Sequence, residues 1–327
     1  MEELRYAKVN RILTIFEKLK DREGINAQKV AQEFGVNEKT IKRDINDIRL
    51  YIADRNYNNL SIVYKRSEKA YFLTGSEDLT SDKKDILAIC KILLESRAFC
   101  CEEMDRIINS VLYKVSYKDK KFIKKIIGNE LLKFTPLEHK EKLIDRIWDL
   151  SKFIHNKEVI EIKYKKTEGE IVKRKVRPVS IIFSEYYFYL IVYFNNSKTR
   201  MPIVYRVDRI INYKSLKEKF RVCESERFQD GEFRKRIQFM YSGELMRVKF
   251  EFTGSSLEAV LDKLPTSRIL ESHEDKHIIE AEVYGKGIKM WLLSQGSGIK
   301  VLSPKSFVDE MALEAKKIYD IYNCNLN

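Results

Sequence analysis

The residues that most resemble a catalytic motif are His273, Glu274 and His277, which match the H-E-x-x-H pattern. On a helix, that spacing places two histidines on one face to bind zinc, with the glutamate as a general base. Here the motif lies between residues 268–270 and 278–279 without an apolar helical flank, and Asp275-Lys276 suits the tip of a hairpin. The sequence offers no evident third ligand, so we predict a polar turn, with no metal site, no cofactor and no enzyme activity.

Positive charge and aromatic rings are concentrated between residues 156 and 221, where there are 16 basic and 7 acidic residues. Over the whole chain, 62 Lys and Arg against 49 Asp and Glu leave a net charge of +13. Because cations attract phosphates and aromatic rings stack on bases, this combination suits single-stranded nucleic acid or nucleotides. The alternative interpretation is a small β domain whose aromatic residues form the core and whose lysines are solvated.

Alternating apolar and charged residues in the same segment predict short strands, which suggest a small barrel. The five expected strands are 160–165, 171–177, 179–184, 187–194 and 203–207. Lys173, Lys175 and Arg177 share one face of their strand, and Arg206 falls near the end of another. Arginine matters here because its guanidinium fork fits phosphate oxygens better than the ammonium group of lysine does.

The N-terminal segment has the pattern of a helix-turn-helix. Apolar residues recur at helical spacing from Tyr6 to Leu19, and Asn26 and Asn37 can each cap a further helix. Gly35 suits the tight turn between those two helices. The helix after Asn37 is the expected recognition helix, with its first turns in the major groove. Its inward residues are expected to be Ile41, Ile45, Ile48 and Ile52.

Two short β-like runs, 60–64 and 70–73, follow the recognition helix and predict a hairpin with a basic tip, as in a winged helix. We expect this tip and the outward side of the helix to contact double-stranded operator DNA. The predicted DNA-binding residues are Lys39, Thr40, Lys42, Arg43, Lys65, Arg66 and Lys69. Asp44 and Asp47 are expected to pair with cations along the same helix. The alternative is a three-helix domain that only mediates protein contacts.

Residues 77–155 carry several amphipathic runs of helical period and predict a helical connector. The chain has five Cys and no C-x-x-C spacing, which indicates a reducing compartment. Its longest apolar run, 186–194, is far shorter than the roughly 20 residues of a membrane helix. We therefore expect a cytoplasmic protein with no membrane partner.

The C-terminal segment differs in charge, since residues 222–327 include 15 basic and 17 acidic residues. Strand-like and helical runs alternate over 240–327 and predict an αβ sandwich. The expected strands are 248–252 and 278–283, and the expected helices are 257–264, 288–293 and 311–322. A dimerisation or regulatory role fits this acidic segment better than contact with DNA.

Several runs of residues together resemble the WYL-domain regulators. Tyr187-Phe188-Tyr189-Leu190 lies where that family carries Trp-Tyr-Leu, with Phe188 in place of the Trp. Tyr205-Arg206-Val207-Asp208-Arg209-Ile210 follows in the family's order. Residues 290–296 look like part of the family's C-terminal extension, the WCX domain, and residues 36–45 resemble its winged helix-turn-helix.

The resemblance implies a bacterial transcription factor in which the WYL module, an Sm-like barrel, senses a nucleic-acid or nucleotide effector. The effector-binding residues that it implies by position are Tyr164, Arg177, Ser180, Tyr189, Arg200, Arg206 and Arg209. Asp208 can pair with Arg206 or Arg209 and fix its orientation, which leaves open whether either arginine is a scaffold or a contact.

The expected fold class is α+β and multidomain. Its parts are a winged helix-turn-helix (1–76), a helical connector (77–155), a small Sm/SH3-like β-barrel (156–221) and a C-terminal α/β sandwich of the WCX type (240–327). The main functional hypothesis is a homodimeric transcription factor that binds operator DNA and responds to an oligonucleotide or nucleotide effector. The alternatives are a general single-stranded nucleic-acid-binding module without a regulatory role, and an enzyme that uses His273 and His277.

Overall fold

The computed structural model describes residues 2–21, 23–54, 60–74, 82–194, 201–221, 228–241, 243–285 and 287–323. They belong to two compact units, residues 1–138 and residues 139–327. Among the helices of the described residues, none combines the length and the apolar character needed to cross a membrane.

The first unit begins with the predicted helix-turn-helix, formed by α1 (Glu2–Lys20), α2 (Ala27–Glu33) and α3 (Glu38–Asp54). One stripe of α3 packs against the other two helices because its apolar residues recur at helical spacing. The buried isoleucines of this stripe are those predicted, Ile41, Ile45, Ile48 and Ile52.

Local capping groups define where these helices begin. The Asn26 side chain accepts hydrogen bonds from two backbone N–H groups in the first turn of α2. Asn37 caps α3 in the same way by accepting from the Lys39 N–H at 2.9 Å. Gly35 makes the turn between them with a φ of +63°, a left-handed conformation that glycine adopts without steric cost. The predicted caps and turn are therefore confirmed.

A two-stranded antiparallel hairpin, β1 (Ser61–Lys65) and β2 (Ala70–Thr74), completes the winged helix. Ile25, just before α2, exchanges two backbone hydrogen bonds of 2.9 Å with Tyr71 of β2. Arg49 of α3 donates to a carbonyl of β1 at 2.9 Å and lies over the Tyr71 ring. These contacts fix the hairpin to the helices.

The middle of the chain is helical, as predicted. The helices are α4 (Lys83–Ser96), α5 (Cys101–Leu112), α6 (Tyr117–Leu132) and α7 (Ile144–His155). The first three share a core that includes Cys90, Met104 and Ile123. In contrast, α7 lies in the second unit, where Leu150 packs under a β-sheet.

That sheet has five antiparallel strands in the order β6-β5-β4-β3-β7. The strands are β3 (Glu158–Lys165), β4 (Ile171–Ser184), β5 (Tyr187–Phe194), β6 (Ile203–Arg206) and β7 (Ile210–Lys219). A 3₁₀ turn, Val207–Arg209, joins β6 to β7. Within the described residues, β6 and β7 do not pair with each other, so hydrogen bonds do not close the sheet into a barrel.

Two strand predictions need correction. The strands expected at 171–177 and 179–184 form the single strand β4, because a bulge between Pro178 and Ser180 accommodates the proline without ending the strand. The strand β7 was not predicted. It is an edge strand with mostly exposed residues, so its sequence lacks a clear apolar alternation.

The C-terminal part follows the short helix α8 (Asp230–Arg236). Its elements are β8 (Leu245–Phe252), α9 (Leu257–Lys263), β9 (Arg268–His273), β10 (Lys276–Tyr284), α10 (Gly287–Ser294), β11 (Ile299–Ser303) and α11 (Lys305–Asn323). The sheet order is β11-β8-β10-β9, which is the arrangement of a split βαβ unit. The sequence predicted β8, β10 and the three helices but missed the two edge strands, β9 and β11.

The polar turn predicted for the H-E-x-x-H run is confirmed, since Glu274 and Asp275 connect β9 to β10. The strand register pairs His273 with Lys276 and His277 with Ser272. Adjacent cross-strand pairs point to opposite faces, so the two histidines do not converge on one metal position. His277 is engaged instead with the Ser272 hydroxyl, 2.8 Å from its Nδ1.

Candidate nucleic-acid interface and effector site

A buried ion pair fixes the orientation of α3 against α1. The Arg11 Nε donates to the Asp44 carboxylate at 2.6 Å, and the two side chains are only 10% and 2% exposed. Asp47 pairs with Lys8 of α1 at 3.0 Å. The expectation that these carboxylates pair along their own helix is wrong, because both lie on the side of α3 that faces α1. Their negative charge is therefore directed away from the outward side of α3.

The outward side of α3 carries the predicted DNA-binding residues. Lys39, Lys42 and Arg43 are exposed and Thr40 is half-buried. The hydrogen bond from Lys42 to Glu38, at 2.7 Å, raises the pKa of Lys42 and occupies its ammonium group. In the described part of the chain, the side chains of Lys39 and Arg43 have no acidic partner. These two cations can therefore bind phosphates or base edges without first breaking an ion pair.

The basic residues at the tip of the hairpin also include one with an acidic partner and two without one within the described ranges. Lys65 lies 3.6 Å from Glu68 and 4.8 Å from the centre of the Phe72 ring. Arg66 and Lys69 are exposed, and neither has an acidic partner among the residues that the structure describes. The wing therefore adds two unpaired cations to the two on α3.

In the second unit, four of the implied effector residues share one face of the five-stranded sheet. Arg177 and Ser180 of β4 pair with positions 193 and 191 of β5, and Arg206 of β6 pairs with Tyr189 of β5. These three positions of β5 are spaced two residues apart. Because side chains two residues apart on a strand point to the same side, all four lie on one face. We call this the effector face, because the family resemblance implies an effector at these residues.

The other three implied residues do not lie on the effector face. The Tyr164 ring contacts the Tyr205 ring edge to face at 4.7 Å, in the core on the opposite side of the sheet. Arg209, in the 3₁₀ turn, donates to the Thr167 hydroxyl at 2.7 Å. Arg200 lies outside the described residues.

Arg206 is held in a fixed orientation. Its Nε and Nη2 donate to the two carboxylate oxygens of Asp208, at 3.1 and 2.7 Å. Its guanidinium carbon lies 3.4 Å from the centre of the Tyr187 ring. Arg146 of α7 steadies the turn by donating to the Val207 carbonyl at 3.1 Å. Asp208 thus pairs with Arg206, one of the two partners that the sequence allowed.

Sequence reasoning missed two residues beside Arg206. Tyr187 precedes Tyr189 by two positions, so strand alternation could have placed it on the same face. His139 comes from the loop before α7, and no motif indicates it; its ring centre lies 6.3 Å from that of Tyr187. The His139 Nδ1 accepts the Glu141 N–H at 2.9 Å, which leaves the proton of the neutral ring on Nε2.

Burial shapes the chemistry of this face. Burial lowers the pKa of His139, although the Asp208 carboxylate opposes that shift. The His139 Nε2 is buried and has no hydrogen-bond partner among the described residues, and the same is true of the Arg177 Nε. Burial also raises the pKa of Tyr189 to about 12, so its phenol remains a hydrogen-bond donor at neutral pH.

The α8 segment covers one end of the effector face. The Ser180 hydroxyl is buried and donates to the Asp230 carboxylate at the start of α8. Phe233 of α8 packs in one cluster with Ile182 and Ile191 of the sheet. The less buried part of the face is therefore the part around Tyr187 and Arg206.

Comparison with known families finds three matches in chain order. A DeoR-like helix-turn-helix domain matches residues 11–64, a WYL domain matches residues 147–215, and a WCX domain matches residues 244–319. The chain belongs to the WYL-domain transcriptional regulators.

Solved structures similar to this WYL regulator are distant from it. One is the proteasome accessory factor B/C (PafBC) of Arthrobacter aurescens, which is 15% identical, with 93% of this chain and 47% of that chain covered and a TM-score of 0.32. Another is described as a CRISPR Cas-related protein and is 16% identical, with 98% and 84% covered and a TM-score of 0.39. The regulator spans about half the length of the first of these. No curated protein matches it.

The family motif departs from its usual form at a core position of this WYL regulator. Phe188, which stands in place of the Trp, packs against the core on the side of the sheet opposite Arg206, with its ring 5.1 Å from that of Phe183. The replacement therefore concerns packing rather than the effector face.

Proposed function

We propose that this WYL regulator is a ligand-responsive transcription factor. Its helix-turn-helix and wing bind operator DNA, and its effector face binds an oligonucleotide or nucleotide. The effector binds one arrangement of the DNA-binding domains more tightly than another. Effector binding therefore shifts the equilibrium between these arrangements and changes the affinity for DNA.

The observation that carries the proposal is the arrangement of Arg206, Asp208 and Tyr187. A guanidinium group has five N–H donors, and the fork onto Asp208 uses two, so three are left for a ligand. The guanidinium covers one face of the Tyr187 ring, so the aromatic surface next to those donors is the rest of that ring. Donors beside an aromatic ring suit a nucleotide, whose phosphate and base edges accept hydrogen bonds and whose base stacks.

Unpaired cations support the DNA-binding part of the proposal. Lys39 and Arg43 on α3 and Arg66 and Lys69 on the wing are the exposed basic residues without acidic partners described above. A recognition helix in the major groove, flanked by a wing on the backbone, uses cations at these two positions.

We also propose a finer architecture. The division is 1–76, 77–155, 156–221 and 240–327, with the last part as an α/β sandwich. The five-stranded sheet is proposed as an Sm/SH3-like barrel whose edge strands, β6 and β7, are not joined by hydrogen bonds in the described residues. The strand order and the 14-residue length of β4 support a strongly curved sheet. We propose a bacterial homodimer, since two-fold symmetric operators favour two-fold symmetric proteins.

The direct test measures the anisotropy of a short fluorescent single-stranded oligonucleotide at two salt concentrations. We expect saturable binding by the wild type and a loss of at least about tenfold in affinity for Arg206→Ala. The matched control is Lys214→Ala, which removes one exposed positive charge from strand β7 of the same sheet. Equal binding by all three proteins would contradict the proposed effector face. A steep salt dependence without any effect of Arg206 would favour the general nucleic-acid-binding module.

A further inference from the structure

We propose that the C-terminal domain holds a second ligand site, for a small anion with an aromatic or apolar body. The site is a cleft between α9 and α10, near the end of β8. It is separate from the effector face, and the proposal goes beyond the function proposed above.

The cleft has the size and the lining of a small-molecule site. Its volume is about 540 Å³, within the roughly 300–1,000 Å³ of such sites. One part of the lining is apolar and consists of Phe252, Val260 and Trp291. Another part is polar and consists of Ser255, Ser256, Ser294 and Gln295. The three apolar side chains belong to the domain core and expose only their edges to the cleft, next to the hydroxyl and amide groups. Such a lining suits a ligand with a small apolar part and a polar end.

The loop at the base of the cleft is held in place without a ligand. The Thr253 N–H donates to the Gly298 carbonyl at 2.8 Å, which joins the end of β8 to the turn after α10. Gly254 lies over the Phe252 ring, and a Cβ there would be 2.5 Å from that ring. The close packing explains the glycine, and the cleft is therefore preformed rather than assembled on binding.

Lys263 determines the charge of the expected ligand. Among the lining residues that the structure describes, it is the one with a charged side chain. Its Nζ is 3.2 Å from the carboxylate of Glu185 and 5.2 Å from the centre of the Phe239 ring. The lysine and the glutamate are 35% and 42% exposed, so this ion pair contributes little and a ligand anion can replace it.

If Lys263 left Glu185 to pair with a ligand anion, ligand binding in the cleft would affect the effector face. Glu185 lies in the turn between β4 and β5 with a φ of +56°, in the left-handed region. Tyr187, which stacks on Arg206, follows it by two residues. An anion that takes Lys263 from Glu185 would free this turn to relax. This connection rests on the proposed function, whereas the ligand site itself does not.

Trp291 allows the site to be tested in the whole chain. The chain has two tryptophans, so Trp148→Phe leaves Trp291, in the wall of the cleft, as the one indole. The probe is anilinonaphthalene sulfonate, an aromatic anion, and the signal is energy transfer from Trp291 to the bound dye. We expect saturable binding, and weaker binding of the uncharged anilinonaphthalene.

Three substitutions in the Trp148→Phe background make the test specific. Lys263→Gln should weaken dye binding about three- to tenfold, and Glu185→Gln should strengthen it because Lys263 loses its internal partner. Ala259→Leu should abolish binding by filling the cleft from α9 without adding a second indole. The control Lys300→Gln removes a charge from β11 that does not line the cleft and should change nothing.

Dye binding by Ala259→Leu as tight as by the Trp148→Phe parent, or no effect of Lys263→Gln, would overturn the site. To test the connection between the two sites, the affinity for an oligonucleotide that carries a far-red label is measured with and without saturating anilinonaphthalene sulfonate. A change of at least about threefold is expected, and no change would overturn the connection alone. Because the dye assay uses no nucleic acid, its failure is distinguishable from failure of the proposed effector face.

Discussion

The guanidinium carbon of Arg206 lies 3.4 Å from the centre of the Tyr187 ring, and Asp208 holds the same guanidinium from the side. The Asp208 side chain is only 4% exposed, so this carboxylate is well shielded from water. Two fixed contacts reduce the conformational entropy that Arg206 would lose on binding a ligand. The arrangement is therefore preorganised in the free protein.

Loss of the bidentate hydrogen bonds from Arg206 to Asp208 should weaken effector binding. In Asp208→Asn, one charged acceptor becomes a neutral amide and the guanidinium loses its bidentate partner. We expect the free energy of unfolding to fall by about 1–3 kcal/mol and oligonucleotide affinity to fall about three- to tenfold. Urea unfolding and oligonucleotide anisotropy measure the two effects. Unchanged affinity in a folded variant would mean that the orientation of Arg206 is unimportant.

The two adjacent cations of α3 should differ in their effect on DNA binding. Arg43→Ala should reduce affinity for operator duplex by about 1–3 kcal/mol, because Arg43 is exposed and unpaired among the described residues. Lys42→Ala should have an effect below about threefold, because the adjacent Glu38 carboxylate offsets the positive charge that Lys42 presents to a phosphate.

The duplex for this comparison can be selected from a random-sequence pool with the wild type. Both variants should bind the single-stranded oligonucleotide normally, which serves as the control for folding. Normal operator binding by Arg43→Ala would show that this residue is not part of the DNA interface.

The buried pair between α1 and α3 should dominate the stability of the helix-turn-helix. Asp44→Ala leaves Arg11 buried without its partner, and we expect a loss of about 3–5 kcal/mol in the free energy of unfolding. Asp47→Ala breaks the exposed pair with Lys8 and should cost no more than about 1 kcal/mol. Equal and small losses from both substitutions, measured by urea unfolding, would contradict the importance of the buried pair.

His139 should make stability depend on pH. Its pKa is lowered from 6.5 by burial, so at mildly acidic pH the unfolded chain binds more protons than the folded one. The contribution is therefore complete above pH 6.5 and is lost as the pH falls through the lower, folded-state pKa. His139→Asn retains an acceptor for the Glu141 N–H and should show a smaller loss of stability between about pH 7.5 and 5.5. Parallel pH profiles for wild type and variant would refute this assignment.

The helix-turn-helix could be predicted in detail because its determinants are local. Asn37, Gly35 and the isoleucines of α3 act over one or two turns of helix, and each appears directly in the sequence. The partner of Asp44 could not be predicted in the same way. Arg11 is 33 residues away, and only the packing of α3 on α1 brings the two together.

The effector face was less predictable for a similar reason. The positions of Arg206 and Asp208 two residues apart suggested a pair, and that pair exists. The stacking of Arg206 on Tyr187 depends on the register between β5 and β6, which no local pattern specifies. His139 approaches from a loop outside the sheet, so neither strand alternation nor the family motif includes it.

The measurement that tests the central claim most directly is operator affinity with and without the single-stranded oligonucleotide, for the wild type and Arg206→Ala. The account predicts that the oligonucleotide changes operator affinity of the wild type at least about fivefold and leaves that of Arg206→Ala unchanged. An operator affinity that does not respond to the bound oligonucleotide in the wild type would contradict it.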